Sequence, residues 1–171
     1  MKRLVLAALP VLLAACTTPK SDTPASEALP AALAVGAGET LVATLAARGV
    51  QVYECRPGQV GSTWAFVAPD AALFDADGRR VGHHGAGPYW QALDGSRIEA
   101  KPTARADAPV ADAIPWLLLQ ATRTGGAGRF THIAAVRRVH TTGGLAPAGS
   151  CLLGTQVRVP YTADYLFYSA S

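Results

Sequence analysis

The sequence predicts one mainly β domain, an antiparallel β-sandwich or β-barrel with Gly/Pro-rich loops and little helix. Three observations carry that expectation. Short runs with alternating apolar residues recur at intervals of roughly ten residues. Glycine and proline, 17 and 12 of the 171 residues, fall between those runs. No amphipathic pattern long enough for three helical turns interrupts them.

The chain begins with a different kind of segment. Lys2 and Arg3 precede an apolar run over residues 4–13, followed by small residues, which is the pattern of a secretory signal. That run is too short to cross a bilayer, which takes ~20 apolar residues as a helix. Leu13-Ala14-Ala15-Cys16 resembles the lipobox of bacterial lipoproteins. The resemblance implies removal of residues 1–15 and lipidation of the Cys16 thiol. Two or three acyl chains at ~0.8 kcal/mol per buried methylene anchor stably where a single chain does not. Thr17, in place of an aspartate, favours an outer-membrane address facing the periplasm. Residues 16–38 then form the lipidated cysteine and a tether, rich in Pro, Ser, Thr and Ala and poor in large apolar side chains. A short helix within residues 28–34 is conceivable on composition, but no residue caps it.

Residues 39–171 remain, about 130 residues, the usual size of one domain. The formal charge of +3 includes Lys2 and Arg3, so the mature chain stands near +1. No basic cluster exceeds a pair, which excludes the electrostatic footprint of a nucleic-acid-binding surface. With Cys16 taken by lipid, Cys55 and Cys151 are left to pair in an oxidising compartment. Closing a loop of about 95 residues stabilises by about 4–5 kcal/mol on the chain-entropy model.

The strands follow in order. Residues 40–46 alternate, and residues 50–55 form a second run after Gly49. Residues 63–67 and 72–74 come next, the latter leading into Asp75-Ala76-Asp77-Gly78, a hairpin turn. Leu93-Asp94-Gly95-Ser96 is a second such turn, joining residues 89–92 to residues 97–100. Residues 114–121 read as a buried strand, since Pro115 stands at the start and the run is short. Residues 129–139, 156–160 and 164–168 complete the set, the last apolar on both faces and therefore packed between layers.

Several ordered phrases are similar to a known family. They are Val50-Gln51-Val52-Tyr53-Glu54-Cys55, Phe66-Val67-Ala68-Pro69, Gly82-His83-His84-Gly85-Ala86-Gly87-Pro88-Tyr89-Trp90, Ile114-Pro115-Trp116-Leu117-Leu118 and Val159-Pro160-Tyr161-Thr162-Ala163-Asp164-Tyr165. With Leu73-Phe74-Asp75, Thr141-Thr142-Gly143-Gly144 and Cys151, they resemble the domain of unknown function 3455 family, a group of exported bacterial and secreted fungal proteins. The resemblance implies no established activity and no catalytic residues. Some fungal members bear a malate-dehydrogenase label, but this chain has no Gly-x-Gly-x-x-Gly between a strand and a helix.

The segment over residues 82–90 carries the most suggestive chemistry. His83 and His84 offer hydrogen bonds, and Tyr89 and Trp90 offer rings for a flat ligand or a sugar. The competing reading makes the glycines and Pro88 a turn and packs the aromatics in the core. Metal binding is disfavoured, because neighbours on a strand face opposite ways and His132 and His140 lack ligand spacing. Asp75 and Asp77 lack the remaining ligands of a calcium loop. The Thr141-Thr142-Gly143-Gly144 run reads as a loop whose glycines take positive φ rather than as an anion cradle. No Gly-x-Ser-x-Gly elbow exists. The expectation is therefore an envelope lipoprotein that binds a small molecule, a glycan or an envelope partner, without a cofactor. The alternative is an enzyme using His83 or His84 as acid and base.

Overall fold

In the computed structural model, which describes residues 29–170, eight antiparallel strands form one closed barrel. The strands are β1 (Thr40–Pro57), β2 (Ser62–Phe74), β3 (Arg80–Gly85), β4 (Tyr89–Ala92), β5 (Arg97–Ala106), β6 (Trp116–Gly125), β7 (Ile133–Gly143) and β8 (Gln156–Ser169). Each pairs with the next, and β8 returns to pair with β1 along almost its whole length. Of the two architectures expected, the barrel is the one formed. Closure leaves no full edge strand to template aggregation. The signal segment, Cys16 and the tether up to residue 28 lie outside the described residues.

Long strands replace pairs of short ones. Residues 40–46 and 50–55 belong to one strand, β1, which runs straight through Gly49. That glycine permits a close approach: a Cβ there would fall on the Asp70 carbonyl oxygen and the Ala71 backbone of β2. Residues 63–67 and 72–74 likewise merge into β2 across Pro69. β2 pairs with β3 only from Ala71 to Phe74, so at Pro69 it has β1 alone as partner and tolerates a missing N–H. Residues 156–160 and 164–168 merge into β8. β6 starts and ends later than residues 114–121, and residues 129–132 form a turn before β7 rather than its beginning. Gly143 and Gly144 do take φ of 61° and 87°, yet Thr141 to Gly143 are the end of β7.

Two hairpin turns stand as their residues require. At the first, Asp75 Oδ1 accepts the N–H groups of Asp77 and Arg79, and Gly78 takes φ 74°. At the second, Asp94 Oδ1 accepts the N–H and hydroxyl of Ser96, while its other oxygen accepts the N–H of Arg129. The wholly buried Ser96 in turn accepts the N–H of Phe130, tying the β6–β7 connection to this turn.

The interior follows the period of two. Tyr161, Ala163, Tyr165 and Phe167 of β8 enter the barrel core with Leu45, Leu73, Trp90, Ile98, Leu119 and Val136. A smaller cluster lies outside the barrel wall, where Trp116 and Val139 pack with Leu33. Leu33 closes a single 3-10 turn, Ala31–Leu33, and is fully buried. Arg137 fixes it there, its Nε donating to the Leu33 carbonyl at 2.9 Å and its Nη1 to the Tyr168 hydroxyl at 2.7 Å. Residues 31–33, assigned by composition to the tether, are thus packed against the barrel because one leucine supplies enough apolar surface.

Cys55 and Cys151 form the expected disulfide. It joins the end of β1 to the connection before β8. Hydrogen bonds reinforce the joint, from Ser62 Oγ to the Cys151 carbonyl at 2.6 Å and from Gly154 N to the Cys55 carbonyl at 3.0 Å.

Candidate functional site

The segment over residues 82–90 folds as a hairpin, β3 and β4, with a turn at Ala86-Gly87-Pro88. Gly85 is needed at its end, since a Cβ there would sit 2.7 Å from the Tyr89 ring. The pleat then separates the four residues that the sequence groups. His84 and Trp90, directly opposite in register, point inward. His83 and Tyr89 lie on the outer face, partly exposed. The structure therefore brings these residues together as two pairs on opposite sides of the wall, and not as one site.

The outer pair is engaged with its neighbours. His83 Nε2 lies 3.0 Å from Asp70 Oδ1, and its Nδ1 lies 3.1 Å from the Tyr89 hydroxyl. Arg158 also donates to Asp70, at 2.6 Å, and the hydrogen bonds from His83 and Arg158 hold this carboxyl below its ordinary value. The Arg97 guanidinium covers one face of the Tyr89 ring at 3.6 Å. His140 pairs separately with Asp164, at 2.8 Å. Glu54 pairs with Arg56 at 2.8 Å.

The inner pair borders a chamber. His84 stacks on Trp90 with ring centroids 4.5 Å apart and planes 13° from parallel. A cavity of about 300 Å³ adjoins them, with Gln51, Phe66, Pro88, Leu117, Arg138 and Tyr165 among its other walls. It shares Gln51, Phe66, Pro102, Leu117 and Arg138 with a wider recess of about 620 Å³ that reaches Tyr53, Ile114 and Leu145. The two form one passage at the end of the barrel where β2 extends beyond β3. This unpaired stretch of β2 is what opens the wall.

The residues matching the DUF3455 description span positions 36–169, from just before β1 to the end of β8. The chain belongs to this family, described as Protein of unknown function (DUF3455). No curated protein and no solved structure matches the chain. The whole barrel, with the passage in it, is thus the DUF3455 domain.

Electrostatically the DUF3455 chamber is apolar with a few polar groups. His84 Nδ1 lies 2.7 Å from the Tyr89 carbonyl, which only accepts, so Nδ1 carries the hydrogen and Nε2 the lone pair. Burial depresses the His84 pKa to about 3, outweighing the opposite pull of that carbonyl. Tyr161 and Tyr165, hydroxyls 3.4 Å apart, are both pushed upward by burial. The side-chain nitrogens of Gln51 and Trp90 are buried with no hydrogen-bond partner. Arg138 anchors its guanidinium on the Pro115 carbonyl, through Nε at 3.1 Å and Nη2 at 2.8 Å. Among the described residues no three His, Cys, Asp or Glu side chains converge on a metal-sized site.

Sequence reading missed Gln51, Arg138 and Tyr165. Gln51 carried a usable signal, a polar residue between Val50 and Val52 in a strand run. Arg138 carried none, because in Arg137-Arg138 only the pleat decides which guanidinium enters the barrel.

One consequence is a pH dependence. The folded His84 titrates near 3 and the unfolded one near 6.5, so between those values only the unfolded chain gains the proton. Stability then falls on acidification below pH 6.5, by up to ~1.4 kcal/mol per pH unit from this one group. Urea unfolding of the wild type and of His84→Gln at pH 7, 6 and 5 checks this. The wild type is expected to lose more stability over that interval, and equal losses would refute a neutral buried imidazole.

Proposed function

We propose that this protein is a lipid-anchored envelope barrel that binds a small, largely apolar molecule inside its passage. The carrying observation is the cavity of about 300 Å³ between His84, Trp90, Pro88 and Leu117, opening into a wider recess. Its size lies at the lower end of the ~300–1,000 Å³ range of small-molecule sites, and its few polar groups converge on an apolar chamber. The anchor rests on Cys16, and a disulfide between Cys55 and Cys151 suits an oxidising envelope compartment.

A sugar-binding reading draws less support. Stacking on a sugar needs an open ring face, whereas Trp90 is fully buried and Arg97 covers one face of Tyr89. The acid/base alternative also draws less support. A useful base titrates near the working pH, and burial leaves His84 a weak one, while His83 lies outside the chamber.

The test uses Nile red, a neutral dye whose emission rises in apolar surroundings. Saturable binding with enhanced emission is expected for the wild type. Leu117→Trp, which fills the chamber from β6, is expected to abolish it while leaving the urea midpoint within about 1 kcal/mol. Equal binding by the two proteins, or none by the wild type, would overturn the reading.

A further inference from the structure

Two cations border the passage: Arg105, exposed, beside Asp107 and lining only the wider recess, and Arg138, which lines both parts. The groups that the Arg138 charge reaches are Tyr53, His84, Tyr161 and Tyr165, all neutral near pH 7. None of the ion pairs among the described residues includes it. Asp70, whose charge also reaches Tyr161, is held outside the wall by Arg158 and His83. Arg137, its neighbour on β7, faces the other way and is satisfied by Leu33 and Tyr168. Arg138 gives Nε and Nη2 to the Pro115 carbonyl and also hydrogen-bonds the Tyr165 hydroxyl, partners that are both neutral.

A half-buried cation facing an apolar chamber attracts a counter-charge, because Coulomb attraction strengthens where water is partly excluded. A second observation points the same way. Gln51 is 2% exposed and borders both parts of the passage, yet its side-chain nitrogen has no partner. Trp90, another wall of the chamber, also has an unpartnered N–H. The chamber thus has an excess of donors, and the lone pair of His84 Nε2 cannot balance it. One cation matches a monoanion, and a planar guanidinium matches a carboxylate in particular.

We infer that the passage is built for a molecule bearing one carboxylate, received by Arg138 and Gln51, with its apolar body against Pro88, Leu117 and Trp90. The assignment rests on the cavity reading above and adds the ligand's charge and polarity. His84, neutral, borders the apolar body without setting a charge against it, whereas a protonated imidazole would be a second cation in the chamber. What decides specificity is therefore the guanidinium of Arg138.

The experiment compares 2-naphthoate with 2-naphthamide, matched in shape and differing in charge, by competition against Nile red and by calorimetry. Wild type is expected to bind the carboxylate roughly tenfold to a hundredfold more tightly. Arg138→Gln is expected to erase that preference, read as the ratio of the two affinities within the same protein. Equal affinities in the wild type would overturn the assignment, and this comparison needs no variant to fold. Persistence of the preference in Arg138→Gln would overturn it too. Nile red binding without either naphthyl compound also defeats the carboxylate assignment, leaving the cavity reading in place. Failure of Nile red itself defeats the cavity reading instead.

Discussion

Replacing Trp90 with alanine is expected to remove about 3–5 kcal/mol of stability, the range for deleting a large buried aromatic side chain. Trp90 is fully buried and joins three aromatic neighbours. Beyond the His84 stack, it meets Tyr165 edge-on at 5.3 Å and Phe167 at 6.2 Å. These contacts tie β4 to β3 and, across the barrel, to β8. β4 spans only Tyr89–Ala92, and Trp90 is the one large side chain that it buries. The loss corresponds to a fall in Tm of roughly 10–20 °C for a domain of this size. Tyr89→Ala serves as the contrast, since an exposed cation–π contact is worth about 0.5–1 kcal/mol. Calorimetric melting of the two variants decides it. Similar losses for both would contradict the placement of Trp90 inside and Tyr89 outside.

Removing the disulfide is the second large effect. A bridge closing 96 residues restricts the unfolded chain strongly, and losing a native disulfide typically costs about 2–5 kcal/mol. The Cys55→Ala/Cys151→Ala protein is expected to unfold at correspondingly lower urea, with the folded barrel otherwise retained. Retention follows from contacts independent of sulfur: β1 and β8 stay paired, and Cys55 N still reaches the Thr155 carbonyl at 2.8 Å. Alanine is chosen because Cys55 is buried and a serine hydroxyl there would lack a partner. A midpoint within about 0.5 kcal/mol of wild type would show that the bridge is mechanically idle.

Most of the strand content was legible because barrel walls have one buried face and a period of two. The Asp-Gly turns were equally legible, since Asp75 and Asp94 bond their own backbone and the signal is local. Strand ends were less so. Gly49 and Pro69 look like breaks, but one marks the close approach of β2 and the other a stretch lacking a β3 partner. Both meanings depend on a neighbour remote in sequence. Leu33 misled for the same reason, as a leucine in an Ala- and Gly-rich run gives no hint of the Trp116 and Val139 that bury it.

The candidate site divides along the same line. His84 and Trp90 were found through the composition of their segment, but only pairing between β3 and β4 put them inside and sent His83 and Tyr89 out.

From the residues alone came a β-rich domain, its family, and the pairing of Cys55 with Cys151, all properties written in local pattern and cysteine count. Barrel closure, the passage beside His84, and the placing of Arg138 on its wall were decided by tertiary structure. Those depend on which strands meet and on the parity of the pleat, and a one-residue change of register would have exchanged Arg138 for Arg137.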